Sequence, residues 1–426
     1  MSTSVKYFTS GMGGAPVLSN NWGDMIGLLD ACLVTGFAAR VVASLTSAAG
    51  IATATISAGH TYLVDQIIEV AGCNEAAYNG QFRVLSATTN QFTYAIAGSP
   101  ASPATTATSI SARVAALGFE KVFTGTNKAV YRSLNMASNR PYLRVDNSLD
   151  PNYNTTYAKF AKVTMAEAMT DIDTFVQGAG RAPFDPTNPS FNEGSSGSGA
   201  SAVVGWHKWY HARGGNSDTA GDGGSGARTW VLIGDDRGFY LGTNFNLSGT
   251  YFSRTVYSFT DFESYKTADS YNTILTATDF RAGANSTLFN VADFNSNFTY
   301  SNEPIGKLLM RNYTQLGNPI RAGFFALQTH NAQNVSGRID SITFPNGPNF
   351  SLLLHPTYIR EELGAHIRGV MPGLMWVHHS GSPYSDLTVV DNVAGWPGRK
   401  FLIVAVSYSS EGNTARIAFD ITGPWR

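Results

Sequence analysis

Charge is what this sequence has least of. Of its 426 residues only 14% are Asp, Glu, Lys or Arg, against about 25% in an ordinary soluble domain. The 29 basic and 30 acidic residues leave a net charge of −1. A broad nucleic-acid or anionic-membrane footprint needs clustered Lys and Arg, so neither partner is expected. Cysteine is nearly absent too. Cys32 and Cys73 form no spaced framework, so two separate buried thiols are expected, with a disulfide left open. No CxxC or Cys/His cluster offers a zinc site. No uncharged apolar run reaches the about 18 residues of a membrane-spanning helix. The opening MSTSVKYFTSGMGG has no apolar stretch after its lysine, so it is not expected to be a secretion signal. Gly11-Met-Gly-Gly14 lacks the Lys-Ser/Thr of a phosphate loop, and no GxSxG elbow is present. No cofactor is expected.

What the chain does have is apolar and small polar residues: 43% hydrophobic, 12% aromatic, and 43 glycines. That composition suits a mainly β protein held by fixed contacts. Residues 1–39 read as an opening segment. Trp22, Met25, Ile26, Leu28, Leu29, Cys32 and Leu33 recur at helical spacing, so a helix is expected over Trp22–Val34, with Asn20 or Asn21 as cap and Gly36 as stop. Residues 40–115 read as a small β module. Alternation is clear in Ile51–Ile56, Ile67–Val70, Phe82–Leu85 and Phe92–Ile96. Turns are marked by Tyr78-Asn79-Gly80 and Thr89-Asn90. Short strands at this spacing predict an Ig-like sandwich or a barrel, ending in a stalk-like run, Gly98 to Ala107.

Residues 116–426 read as a larger β-rich body. Strands are expected at Lys128–Arg132, Tyr142–Val145, Trp230–Ile233, Phe239–Leu241, Ile339–Phe344, Phe350–Leu354 and Phe401–Val406, and a helix at Met165–Asp173. Asn192–Ala200 and Gly214–Gly226 are Gly/Ser-rich loops by composition. The aromatic strand Val203–His211 lies between them and is expected at the surface.

Four groups invite chemistry. Trp206, His207, Trp209, Tyr210 and His211, with Asp218 and Asp222, come nearest to a metal cluster. On a strand, however, His207 and His211 share a face about 13 Å apart, too far for one ion. The bland reading is an aromatic strand touching another subunit. His378-His379 point to opposite faces of a strand. Asp235-Asp236-Arg237 is better read as a hairpin turn than as a paired-carboxylate site. Asp171 and Asp173 are read as a cap or turn.

Some of these residues also carry a resemblance. Lys6-Tyr7-Phe8, Ala15-Pro16-Val17-Leu18, Leu28–Val34 and Gly36-Phe37 resemble the start of a group of tailed-bacteriophage virion structural proteins. Further matching stretches are Phe123–Arg132, Tyr142–Asp146, Met169–Asp173, Trp230–Arg237, Phe262–Lys266 and Phe419–Arg426. Gly59-His60, Tyr78-Asn79-Gly80 and Gln91–Tyr94 resemble Ig-like modules of phage tails. The match is weakest around 185–226 and 281–300. The resemblance implies a non-enzymatic virion component, made in the host cytoplasm and freed by lysis. Its partners would be copies of itself and other virion proteins at the tail, baseplate or neck. Trp206, His207, Trp209, Tyr210, Trp22 and Leu29 are then the candidate subunit contacts. Two alternatives remain: a capsid-surface decoration protein, or a host-glycan reader with Trp206, Trp209 and Tyr210 stacking on sugars. A polysaccharide depolymerase using Asp235, Asp236 and Glu263 ranks last.

Overall fold

The computed structural model describes residues 4–176, 180–185, 187, 193–215, 218–247, 254–279, 306–325, 342–361, 366–377, 379–380, 384–407 and 414–426. The expected loop 281–300, His378 and the first half of the expected strand Ile339–Phe344 lie outside them, while Ile342–Thr343 are strand. The fold is mainly β, as the composition implies.

The chain opens with β1 (Lys6–Thr9) and a short helix, α1 (Asp24–Leu29). The helix is shorter than its apolar periodicity: from Asp30 to Thr35 it widens into a π-helical turn, stopped at Gly36 (φ 70°). Neither Asn20 nor Asn21 caps it. The cap is tertiary: Asn147 Oδ1 accepts from the N–H groups of Gly23 and Met25. Met25, Leu28, Leu29, Cys32 and Leu33 are buried, so the spacing found the buried face correctly.

The β module is a closed sheet. Its strands are β2 (Phe37–Val42), β3 (Ser44–Ala48), β4 (Ile51–Thr55), β5 (Ile67–Ala71), β6 (Gly80–Ala87), β7 (Gln91–Ala95) and β8 (Ile110–Val114). They pair in the order β2-β8-β5-β6-β7-β4-β3. Only Ala43 separates β2 from β3, and its N–H donates to Thr55 O. β2 and β3 are therefore one bent strand whose halves pair with opposite ends of the order, and the sheet returns on itself. β6 bonds both β5 and β7, so there are no two independent sheets as in an Ig sandwich. Of the two architectures the spacing allowed, the barrel is the one formed. The two halves of the bent strand cover the two ends of the order, β2 on β8 and β3 on β4. Leu45, Ala52, Ala54, Ile68, Val84, Phe92 and Tyr94 fill the interior. The Ser/Pro run is no stalk. It folds back over the barrel end, where Ala104 N bonds Leu45 O, Ser102 Oγ accepts from Ser47 N, and Tyr78 Oη donates to Ala101 O. Both cysteines are buried free thiols.

The body has three β layers. The first contains β9 (Phe119–Gly125), β10 (Lys128–Ser133), β11 (Tyr142–Asp146), β12 (Lys159–Ala166) and β13 (His207–Ala212), paired in the order β13-β12-β11-β10-β9. Met165 and Ala166 end β12, and the residues to Asp173 form turns, so the helix expected at Met165–Asp173 is absent. The second layer contains β14 (Trp230–Asp235), β15 (Gly238–Asn244), β16 (Arg254–Asp261), β17 (Thr273–Thr276) and β18 (Lys307–Leu309), with β1 as its outer strand. The same sheet runs on through β19 (Ile320–Phe325), β20 (Leu354–Glu361), β21 (Ile367–Val377), β22 (Thr388–Val390), β23 (Phe401–Ser407) and β24 (Thr414–Asp420), which fold over to make the third. Phe350–Leu353, expected as strand, form a turn and its exit, and β20 begins only at Leu354.

The middle layer is covered on both sides. Leu232, Phe239, Leu241, Tyr257 and Phe259 pack with the first layer, and Val231, Ile233, Tyr240 and Val256 with the third. Both faces of β14 to β16 therefore carry apolar residues, as expected for doubly covered strands, which cannot show in/out alternation. Each large apolar side chain so buried contributes roughly 1.5–3 kcal/mol.

The barrel is anchored to this body rather than projecting from it. Arg83 donates to Ile421 O at 3.0 Å, Lys400 pairs with Asp65 at 2.6 Å, and Gln66 contacts Met12. One apolar core runs from barrel to body.

Candidate functional site

The aromatic strand is the natural place to begin, and it lies inside. In β13 His207, Trp209, Tyr210 and His211 are at most 1% exposed, and Trp206 is 8% exposed. Trp209 stacks on Tyr257 and donates to Thr276 O at 2.7 Å. Leu29 is buried as well, and Trp22 is edge-on to Tyr153 and Phe160. These residues make contacts within the chain. Apart from Trp22, which is partly exposed, they offer no open face for a sugar or a second subunit, which corrects the surface reading of the strand. Asp218, in the Gly214–Gly226 segment, turns back onto the strand through Lys208 and Tyr210.

The outer face of the first layer is ionic. Lys208 pairs with Asp218 at 2.9 Å, and Tyr210 Oη donates to the same carboxylate. Burial lowers the Lys208 pKa. Burial also pushes the Asp218 carboxyl up, but the Lys208 and Arg213 charges and the Tyr210 hydrogen bond outweigh it, leaving it below its ordinary value. Arg144, Lys128 and Lys162 surround Asp146 within 3.7 Å. Asp171 accepts from Asp173 N, a turn as expected, while Asp173 pairs with Lys128. His211 lies between Ser19 O, at 2.9 Å from Nδ1, and Asn147 Nδ2, at 3.0 Å from Nε2. Full burial drops its pKa to about 4, so the ring is neutral at pH 7. His379 receives the Leu353 N–H and is likewise buried. Among the described residues no group of three or more His, Cys, Asp or Glu has metal-site spacing.

The three carboxylates considered for hydrolysis sit near the chain's end. The expected hairpin forms, with Asp235 opposite Gly238. Asp235 pairs with Arg426 and accepts from Arg237 N, and burial raises its pKa. Asp236 accepts from Asn135 Nδ2 at 3.0 Å. Burial raises the Glu263 pKa as well. Asp235 and Asp236 are engaged in tying strands together.

A pocket of about 140 Å³ lies elsewhere, at one end of the layers. Hairpin loops converge there: 134–141, 262–272 and 310–319, with the start of β21. Arg368 is their fastener. It donates to both oxygens of Asp269 at 2.9 Å, to Glu361 at 2.5 Å, and to Arg311 O at 3.1 Å. Asn139 Nδ2 bonds Asp269 O, and Gln315 Nε2 bonds Ala268 O. Thr273 and Met310 form the buried base, while Asn139, Glu167 and Ser270 are exposed at the mouth. Arg311 pairs with Glu167 at 2.6 Å and lies 5.4 Å over the Tyr271 ring. The neighbouring loop tips expose Met136, Tyr265 and Leu316 by 78%, 61% and 72%. Sequence reasoning missed this cluster. The one available signal was Tyr265 and Tyr271 set among Ser, Asp and Asn, the chemistry of an aromatic-bearing turn.

No family model matches the chain, and no curated protein does either.

Proposed function

We propose that the chain is a structural subunit of a tailed-phage virion, present in multiple copies and joined to its neighbours through its surface loops. One observation carries this reading: stretches that resemble the phage proteins, far apart in sequence, come together in the fold. β1, from the opening, pairs with β14, from Trp230–Arg237, with Lys6 opposite Gly234. The closing Phe419–Arg426 joins them. Arg426 pairs with Asp235, Trp425 packs on Tyr240, and Gly423 leaves so little room that an added methyl would lie 2.8 Å from Val5. Residues shared because they build one framework would be expected to meet in this way. No enzymatic step is proposed.

The test is immuno-electron microscopy with antibodies to the purified chain, on density-purified particles from lysates that contain it. Labelling should recur at one place on every particle, and quantitative mass spectrometry should give several copies per virion. A chain that stays with the free protein, away from particles, would overturn the proposal.

A further inference from the structure

We infer that the pocket between the 134–141 and 262–272 loops is a subsite for one ring of a neutral, hydroxyl-rich glycan. Its size is the first reason. At about 140 Å³ it is well below the roughly 300–1,000 Å³ of pockets that enclose drug-sized ligands. It suits a single ring entering from a longer chain outside.

Charge is the second reason. Glu167 is the one carboxylate in the lining, and Arg311 neutralises it at 2.6 Å. A phosphate or a carboxylate ligand would have to compete for Arg311 with that carboxylate, and a cation would have to compete for Glu167. A neutral hydroxyl accepts and donates without breaking the pair. Polarity is the third. The Ser270 hydroxyl stands exposed at the mouth, where a purely apolar ligand would strip it of water without replacing its hydrogen bonds. The apolar side of a sugar has surfaces to meet as well: Tyr271 and Met310 in the lining, and the exposed Tyr265 on the same loop. Aromatic rings with a polar handle suit a ligand that is apolar on one face and wet at its edge. The bidentate Arg368–Asp269 pair and its bond to Glu361 hold the loops in place, so little ordering entropy opposes binding.

This inference is independent of the virion reading. A subsite can exist on a chain that never enters a particle, and a virion subunit need not bind sugar. The test is saturation-transfer NMR on the full chain with methyl glucoside, methyl galactoside, N-acetylglucosamine and glycerol, each at ~10 mM because single-ring affinities fall near the millimolar range. A Gly-Tyr-Ser tripeptide serves as the peptide probe. Transfer to ring protons of at least one sugar is expected. S270A, which removes an exposed hydroxyl, should weaken it by about tenfold, as the loss of one hydrogen bond predicts, and Y265A, which removes the exposed ring, by several-fold, with melting temperatures unchanged. Three results would overturn the inference: no transfer to any sugar, transfer that both variants leave intact, or transfer to the tripeptide in place of the sugars. The last would point to a protein partner.

Discussion

Strand β13 and the 262–272 loop are both rich in aromatic residues, yet they have opposite fates. β13 places Trp209, Tyr210 and two histidines in six residues, and all four are essentially without solvent contact. The loop has Tyr265 and Tyr271 scattered among Ser, Asp and Asn, and Tyr265 is 61% exposed. Aromatic density alone therefore says little about exposure. A strand is hidden when both of its faces are covered, and here the second face meets Phe160 and Asp218, the latter from a glycine-rich segment that looked like open surface. What separates the two regions is whether anything covers the rings, for the polar groups of the loop, like those of the strand, are largely engaged within the chain. Tyr210 donates to Asp218, and His211 lies between Ser19 and Asn147. The loop leaves the Tyr265 ring to the solvent.

The largest expected break in this comparison comes from Trp209→Ala. The side chain stacks on Tyr257 and lies in the core shared by two layers. Its removal should cost roughly 3–5 kcal/mol, read as a fall in the denaturant midpoint with unchanged slope. A loss below about 1 kcal/mol would mean that the strand is not interior, because surface substitutions fall in that range.

Next is Asp218→Asn. It strands Lys208, whose side chain is 1% exposed. Removing one partner of a buried pair costs roughly 3–5 kcal/mol, and the low end is expected because Asn can still accept from Tyr210. The double variant Asp218→Asn, Lys208→Met should recover most of the loss. If it does not, the ion pair is not what joins the loop to the strand.

His211 gives a pH signature. Its folded pKa, about 4, lies below the ordinary 6.5, so the unfolded chain binds the extra proton first as pH falls. Stability should therefore decline between pH 6.5 and 4 by up to about 3 kcal/mol, since each pKa unit is worth about 1.36 kcal/mol. Below the folded pKa this term adds no further loss. Chemical denaturation of wild type and His211→Gln across that window is the check: the variant should lack this slope.

How much of this was legible in the sequence depends on where the periodicity was clean. Four of the seven barrel strands, β4 to β7, alternate clearly, with Ala52, Ala54, Phe92 and Tyr94 inward, and were found with the turns at Tyr78–Gly80 and Thr89-Asn90, while β2, β3 and β8 were not read. The Asp235–Gly238 hairpin was found from turn chemistry. β12 is buried throughout its length, so it shows no alternation, and its last residues passed for a helix. The barrel's closure was invisible because it depends on the bend at Ala43 and on long-range partners. The cap on α1 was hidden for the same reason, since Asn147 supplies it from 122 residues away. The loop pocket is the extreme case: Asn139, Glu167, Ser270 and Met310 share no local pattern, and only the convergence of hairpins at one end of the layers brings them together.

The smallest effect is the sharpest check on the comparison. Tyr265→Ala and Leu316→Ser remove aromatic and apolar atoms from loop tips that are mostly in water, 61% and 72% exposed. Little area returns to solvent, no buried partner is left unsatisfied, and the Arg368–Asp269 fastening does not involve either side chain. Both variants should stay within about 0.5 kcal/mol of wild type, against a loss several times larger for Trp209→Ala in the same buffer. An equal loss at the two regions would show that the loop end is as much a part of the folding core as β13. Its tyrosine would then be held in place by the fold, not left free for a ligand.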